Sequence, residues 1–332
     1  MKRKLAFLLM LCFGWSFFLN GCGGTLPETD DRLQVVCTIF PEYDWARQLT
    51  QGVDNVDLTL LVKNGTDLHS YQPSVRDIAM IARADVFCYV GGVSDTWVND
   101  VLDTTENHTA QLVSMAEAAD ADEEVLAEGM QAEHEHEHEH DHHDDESDSH
   151  EEPPELDEHV WLSLRRAALA CTAMKEALCK ADPAHEDIYN QNCTDYLQKL
   201  QELDSDFTEM TSQAARDTIV VADRFPFRYL AEDYGLTYYA AFPGCSAETE
   251  ASFETIVFLS EKMESLHLPC VLVTEGSNSS LAKTILENAG SDGKILTLQS
   301  LQAVSQKEID AGVTYLSKMQ ENYDVLKQAL NS

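Results

Sequence analysis

The chain has 332 residues and a formal net charge of −37, because 59 Asp and Glu residues outnumber 22 Lys and Arg residues. A protein with this much negative charge repels nucleic acid and anionic lipid headgroups. We therefore expect no nucleic-acid partner and no electrostatic attraction to a membrane. About 310 residues remain once an export signal is removed, which is enough for two domains of ordinary size.

The amino terminus has the pattern of a lipoprotein export signal. The basic start MKRK precedes an apolar stretch from Leu5 to Leu19, which runs into LNGC. LNGC resembles the bacterial lipobox and predicts a signal peptide over residues 1–21, a lipidated Cys22 and a tether over residues 22–31. We therefore expect an exported protein that is lipid-anchored to the outer face of the bacterial cytoplasmic membrane. A simple secretory signal and an uncleaved anchor are the alternatives.

Strands and helices alternate over the next part of the chain. The mostly apolar run Leu33–Phe40 is typical of a strand buried on both faces, and Val56–Val62 and Asp85–Gly91 are also predicted strands. Short helices are predicted over Tyr43–Gln51 and Ser74–Ala84. Such alternation indicates a parallel sheet covered by helices, in which ligand sites lie in loops at the carboxyl ends of the strands.

An acidic, histidine-rich tract occupies residues 133–158 and has no aliphatic or aromatic side chain before Leu156. It cannot bury apolar surface, so we expect a disordered loop over about 120–156. Neutral imidazole is a common metal ligand, and the alternating carboxylates concentrate divalent cations, which predicts a loop that collects metal ions. The alternative is a charged linker with incidental histidines. The histidines of the tract are His134, His136, His138, His140, His142, His143 and His150.

A long amphipathic helix and a second series of strands follow the tract. Apolar residues recur at helical spacing over His185–Ala214, after a helix over Val160–Cys179. The remaining predicted elements are strands at 218–223, 236–242, 270–275 and 294–299 and a helix over Gly312–Leu330. The prediction is an α/β protein with two lobes, each a parallel sheet flanked by helices, joined by one long rigid backbone helix. The predicted boundaries are 32–182 for the first lobe, 183–215 for the linking helix and 216–332 for the second lobe.

Five segments occur in the order DLHSYQPS, DVFCYVGGVSDTWVNDVL, DEHVWLS, RYLAEDYGL and ETEAS. Together they resemble the metal-binding (cluster A) solute-binding proteins of bacterial ABC importers, which take up zinc or manganese. In that family the histidines of the first and third segments bind the metal, which implies His69 and His159 as ligands. The resemblance covers Leu33 to Leu330. It implies two α/β lobes with the metal between them, a monomer, and an ABC permease with its ATPase as partners.

The resemblance fails at the third and fourth ligands. Counting back along the sequence from Tyr229, as the family motif requires, places Arg224 at the position of the third metal ligand. A guanidinium cannot coordinate a cation. The adjacent Asp223 is the nearest replacement, and the alternative is that Asp223 and Arg224 pair to shape the loop. The fourth position falls in LTLQSLQ, which has no acidic residue. Glu275, another carboxylate at a strand end, lies in CVLVTEGSNSS and is a candidate ligand, with capping of the helix after Ser277 as its alternative role. A water or a tract histidine could also complete the shell.

Two imidazoles suit zinc better than manganese, and the inserted tract resembles the loop of the zinc-binding members. The sequence therefore predicts an extracytoplasmic receptor that captures Zn²⁺ for an ABC permease, and not an enzyme. The alternatives are a manganese receptor of the same family, a zinc-buffering or adhesion lipoprotein, and a zinc hydrolase. The sequence has no HExxH or GxSxG motif, which argues against the hydrolase.

Nine cysteines are present, of which Cys12 and Cys22 belong to the export signal and lipid site. No two have the CxxC spacing, which argues against a structural zinc site made of cysteines. Most of the others are expected to be buried as small apolar residues. Cys245 and Cys270, near the ends of predicted strands, are a candidate disulfide.

Overall fold

The computed structural model describes residues 32–63, 65–105, 107, 109–130, 156–246 and 250–332. The predicted signal peptide, the lipidated Cys22, the tether and all seven tract histidines lie outside the described residues. Leu33–Ser332 forms one compact unit. Within the described ranges, no helix is both long enough and apolar enough to cross a membrane.

The amino-terminal lobe contains four parallel strands in the order β2-β1-β3-β4. Residues of β1 alternate between two apolar layers, because Val35 and Cys37 pack on the large central core and Val36 packs on the outer helices. The strands are β1 (Leu33–Cys37), β2 (Val56–Leu60), β3 (Val86–Tyr89) and β4 (Gln111–Ser114). The helices are α1 (Phe40–Leu49), α2 (Val75–Ile81), α3 (Trp97–Thr104) and α4 (Met115–Ala118).

The carboxy-terminal lobe repeats this arrangement with four parallel strands in the order β6-β5-β7-β8. Ile219 and Val221 of its central strand face the large core, whereas Val220 and Ala222 face a separate apolar cluster. The strands are β5 (Thr218–Phe225), β6 (Thr237–Pro243), β7 (Cys270–Thr274) and β8 (Lys294–Leu298). The helices after the linking helix are α7 (Arg228–Asp233), α8 (Phe253–Ser265), α9 (Ser280–Asn288), α10 (Gln306–Asp310) and α11 (Tyr315–Asn331).

Two consecutive helices join the lobes: α5 (Leu164–Ala181) and α6 (Glu186–Ser212). A short 3₁₀ turn, Pro183–His185, separates them, since proline cannot continue a helix. The 27 residues of α6 span about 40 Å at 1.5 Å per residue. One core cluster contains residues of both sheets and of α5, α6 and α11, so the lobes share a continuous apolar interior. The buried face of α6 consists of Tyr189, Cys193, Tyr196, Leu200, Leu203, Phe207 and Met210.

The prediction of two α/β lobes linked by a long helix is confirmed, with differences at particular elements. The strand predicted over Leu33–Phe40 ends at Cys37, because Pro41 lies in the first turn of α1. Strand β4 was not predicted. It is a four-residue edge strand with a half-exposed Leu112, so it lacks the continuous apolar run of a strand buried on both faces.

The described residues include 120–130, the start of the loop predicted over about 120–156. Residues 120–130, which we call the crossing segment, run from the amino-terminal lobe onto the carboxy-terminal lobe. The Asp122 amide donates to Tyr229 Oη at 2.9 Å, and Arg228 donates to the Glu123 carbonyl. Glu123 also forms an antiparallel bridge with Leu156. The backbone of the crossing segment is therefore paired with protein groups, despite its acidic sequence.

Candidate metal site

The candidate site lies where the carboxyl ends of the strands of both lobes meet. A cavity of about 370 Å³ is lined by Asp67 and His69 from one lobe and by Asp223, Glu275 and Ser300 from the other. This position follows the rule for parallel sheets, whose ligand sites lie beyond the carboxyl ends of strands.

His69 lies in a 3₁₀ turn, Leu68–Ser70, after β2. The Asp67 side chain caps this turn by accepting from the His69 amide at 3.0 Å. The His69 Nδ1 atom lies 2.6 Å from Ser94 Oγ and 3.4 Å from Glu158 Oε1. Burial, together with the nearby His159 ring, lowers the pKa of His69 to about 4. The imidazole is therefore neutral at pH 7, which is the form that binds a metal ion.

His159 is fully buried at the start of a 3₁₀ turn before α5. Its Nδ1 atom and its backbone amide both lie near Asp157 Oδ1, at 2.9 Å and 3.1 Å. Although burial alone lowers the pKa of His159, the hydrogen bond and charge of Asp157 outweigh it and raise the pKa. A carboxylate on one ring nitrogen is the usual orienting partner of a metal-binding histidine.

The other ring nitrogen of His159, Nε2, has no hydrogen-bond partner among the described residues. Within the described residues, Nε2 is buried and makes no hydrogen bond. Leaving a buried polar atom unpaired costs about 1–3 kcal/mol, so such an atom needs a functional explanation. The ring centroids of His159 and His69 are 5.5 Å apart. The structure thus brings the two predicted histidines together, with the unpaired nitrogen in the same region.

Two further residues lie beside His69 and were not predicted as ligands. One donor atom each from His69, Glu158 and Cys245 lies within 4.8 Å of the other two. Glu158 is fully buried, and burial raises the pKa of its carboxyl group. Ser94 donates to Glu158 from its backbone amide at 3.0 Å and from its hydroxyl group. A Cβ atom at Gly92 would lie 2.2 Å from Glu158 Oε2, so only glycine fits there without displacing Glu158.

Sequence signals for these two residues were present. Cys245 follows the carboxyl end of β6, which is the position that the parallel-sheet rule assigns to ligands. Glu158 precedes His159 directly in DEHVWLS. Burial and the Glu158 charge raise the pKa of the Cys245 thiol.

The candidate disulfide between Cys245 and Cys270 is wrong, because both are free cysteines. The strands β6 and β7 are parallel and flank β5. Cys245 follows the carboxyl end of β6 and Cys270 begins β7, so in this parallel sheet the two cysteines lie at opposite ends of the strands.

Asp223 and Glu275, the other predicted ligands, line the same cavity but hydrogen-bond to protein groups. Asp223 Oδ2 accepts from Thr274 Oγ1 at 2.8 Å, and Asp223 Oδ1 accepts from the Arg224 amide at 2.9 Å. Glu275 accepts from the Ser300 amide and hydroxyl, both at 2.6 Å. Metal binding by either carboxylate stays a prediction.

Arg224, which the register places at the third ligand position, forms an ion pair between the lobes. Its Nη2 atom lies 2.8 Å from Asp67 Oδ2. Burial of Asp67 opposes ionisation, but Arg224 outweighs it and lowers the pKa of Asp67. The guanidinium therefore pairs with Asp67, whereas its backbone amide pairs with Asp223.

Comparison with known proteins places this architecture in a family. The family model described as ZnuA, zinc-uptake complex component A periplasmic, matches residues 35–329. The chain belongs to the ZnuA family. The resemblance to zinc-type cluster A proteins is thereby confirmed.

Similar ZnuA-family proteins are known from other bacteria. The zinc-binding lipoprotein AdcA of Streptococcus pneumoniae is 31% identical over 328 residues, covering 99% of this chain and 61% of that protein. The chain thus spans about three fifths of the length of the AdcA proteins that it matches. The high-affinity zinc uptake system protein ZnuA of Bacillus subtilis is 30% identical over 329 residues, covering 98% of this chain and 96% of that protein.

Solved structures have the same fold. The Zn(II)-bound ZnuA-like domain of Streptococcus pneumoniae AdcA has a TM-score of 0.69 at 29% identity, covering 91% of this chain and 100% of that one. The laminin-binding adhesin Lmb of Streptococcus agalactiae has a TM-score of 0.72 at 22% identity, over 90% of this chain and 100% of that one. The second likeness shows the fold alone.

Proposed function

We propose that the protein is an extracytoplasmic receptor that captures Zn²⁺ and delivers it to an ABC permease driven by its ATPase. The observation that carries this proposal is the buried, unpaired Nε2 atom of His159 beside the neutral His69 ring. Two imidazoles between two lobes form a site that can hold a small cation. Relatives named as zinc-binding and zinc-uptake proteins support zinc as that cation.

Zinc is favoured over manganese by the donor atoms near the site. Imidazole and thiol groups are softer ligands than the carboxylates and waters that manganese prefers. His69, His159 and Cys245 supply such groups in one region of the structure. The manganese receptor is accordingly the weaker proposal.

A receptor, and not an enzyme, suits the burial of the site. The ring nitrogen that a metal would bind is inaccessible to solvent, which favours retention of an ion over turnover of a larger substrate. Adhesion has no comparable support, because the laminin-binding neighbour shares only the fold.

We also propose a monomer held to the membrane by lipid on Cys22. The support is the LNGC sequence and the naming of a relative as a lipoprotein. The tract histidines would collect zinc near the membrane surface and raise its concentration beside the main site.

Calorimetric titration of the full-length chain with zinc tests the two roles separately. We expect one tight equivalent and additional weaker binding, and deletion of residues 133–152 removes only the weaker binding. His159→Ala and His69→Ala each remove the tight equivalent, whereas His185→Ala, which alters a partly exposed histidine paired with Asp182, retains it. Loss of the tight equivalent on deletion of the tract, or its survival in His159→Ala, contradicts the proposal.

A further inference from the structure

We propose that Cys245 and Glu158 complete the zinc site, so that the ion is held by His69, His159, the Cys245 sulfur and the Glu158 carboxylate. This inference rests on the proposed function and adds the identity of the remaining ligands. It replaces the missing third and fourth ligands with residues that the structure brings to the histidines.

Proximity is the first support. One donor atom of each of His69, Glu158 and Cys245 lies within 4.8 Å of the other two, so one ion at their centre can reach all three with small movements. Zinc ligands lie about 2.0–2.3 Å from the ion, which places donor atoms of one tetrahedral site about 3.3–3.8 Å apart. The cluster is thus close to the size of a zinc site before an ion contracts it.

The unpaired nitrogen of His159 is an independent support. A Cβ atom at Gly244 would lie 2.9 Å from His159 Cε1, so the residue before Cys245 is in direct contact with the His159 ring. The chain turn at Gly244 therefore brings the residue before Cys245 against the His159 ring, while the Cys245 sulfur itself lies near His69 and Glu158. His159, whose buried Nε2 atom makes no hydrogen bond within the described residues, is the fourth donor of the proposed site.

Local groups hold the two new ligands in position. Ser94 donates to Glu158 from its amide and hydroxyl, and Glu124 Oε1 accepts from the Cys245 amide at 3.2 Å. When zinc binds, the thiol proton leaves to solvent and the sulfur electron pair forms the bond to the ion.

Asp223 and Glu275 are less suited to the same role. Each carboxylate holds two or more protein hydrogen bonds that connect neighbouring strand ends, and metal binding would weaken them. We therefore assign these two residues to holding the carboxy-terminal side of the cavity together.

X-ray absorption at the zinc edge tests the assignment on the full-length chain loaded with one equivalent of zinc. We expect one sulfur at about 2.3 Å and nitrogen or oxygen ligands at about 2.0–2.2 Å. The sulfur signal disappears in Cys245→Ser and persists in Cys179→Ser, a matched change of a partly exposed cysteine on α5. Tract histidines cannot supply sulfur, so zinc in the tract cannot imitate this result.

Affinity measurements separate ligands from supporting residues. Cys245→Ser and Glu158→Gln are expected to weaken zinc binding more than about 100-fold, beyond the 10–100-fold that outer-shell changes cost. Asp223→Asn and Glu275→Gln are expected to stay within that outer-shell range. In the wild-type chain, bound zinc should also protect Cys245 from alkylation by iodoacetamide, as read by mass spectrometry, which requires no variant to fold.

The outcomes distinguish this inference from the proposed function. A wild-type chain that binds one zinc tightly with only nitrogen and oxygen ligands overturns the role of Cys245 but leaves the receptor intact. A larger affinity loss in Asp223→Asn or Glu275→Gln than in Cys245→Ser also overturns it. A wild-type chain that binds no zinc tightly overturns both.

Discussion

The contact between Gly244 and His159 makes a specific prediction about stability. A Cβ atom at position 244 would lie 2.9 Å from His159 Cε1, 3.0 Å from His159 Nδ1 and 3.2 Å from the Phe225 carbonyl oxygen. Unstrained carbon contacts lie at about 3.5–4.0 Å, so the ring would have to move by more than about half an ångström. It cannot move freely, because Asp157 holds Nδ1 at 2.9 Å. Gly244→Ala should therefore cost about 1–3 kcal/mol of unfolding free energy, the usual range for overpacking.

A double-mutant cycle assigns this cost to the ring. Gly244 has no positive φ, so alanine brings no backbone strain and the effect is steric. In His159→Ala the added methyl group meets a space where the ring was, so Gly244→Ala should cost less than about 1 kcal/mol there. Urea denaturation of the four metal-free proteins measures both values. Equal costs in the two backgrounds would refute the reasoning. Gly244→Ala alone should also weaken zinc binding, because the shifted ring no longer directs Nε2 into the site.

Three further predictions concern groups around the site and in the core. Burial raises the pKa of Glu42 from 4.5 to about 8, so the folded state binds a proton that the unfolded state releases, and stability falls as pH rises from about 4.5 to about 8. Denaturation at about pH 5 and pH 8 should show that Glu42→Gln removes about 3–4 kcal/mol of this fall, since one proton contributes at most about 1.4 kcal/mol per pH unit. Parallel pH profiles for the two proteins contradict the prediction. Arg224→Met should lower the free energy of unfolding by less than about 1 kcal/mol, because the ion pair of Arg224 with Asp67 is about one third exposed. It should also raise zinc affinity, by less than about tenfold, because it removes a nearby cation; a loss of zinc affinity in calorimetry refutes this. Tyr229→Phe should speed amide hydrogen exchange in residues 120–130, since it removes the hydroxyl group that accepts from the Asp122 amide. Unchanged exchange would show that other contacts hold the crossing segment.

Much of the fold was predictable because its strands are buried on both faces. Continuous apolar runs mark β1, β3, β5 and β7 directly, and the helical period marks α6 over its whole length. Strand β4 escaped prediction because an edge strand of four residues needs little apolar surface. The placement of the crossing segment was not predictable, because the residues that bind it, such as Tyr229 and Arg228, are more than 100 residues away along the chain.

The site was predictable only as far as its motifs extend. His69 and His159 stand in recognisable segments, but the family register leads to Arg224 for the third ligand. The sequence contains no signal that Arg224 turns toward Asp67 in the opposite lobe. For Cys245 the sequence suggested a disulfide and not a metal ligand. The spacing of the cysteines carries no information about His69, which precedes Cys245 by 176 positions and which folding brings to within 4.8 Å of it.

The charges around the site favour the ligand set that includes Glu158. Two neutral imidazoles, one carboxylate and one thiolate carry two negative charges, which balance Zn²⁺. Arg224 adds no net charge, because Asp67 neutralises it. If zinc were instead bound through Asp223 and Glu275, the fully buried Glu158 would remain beside the site with Ser94 donors but without the metal ion. A buried charge without an opposite charge costs several kcal/mol. Zinc that contacts Glu158 removes this cost, whereas zinc bound at Asp223 and Glu275 would leave it in place.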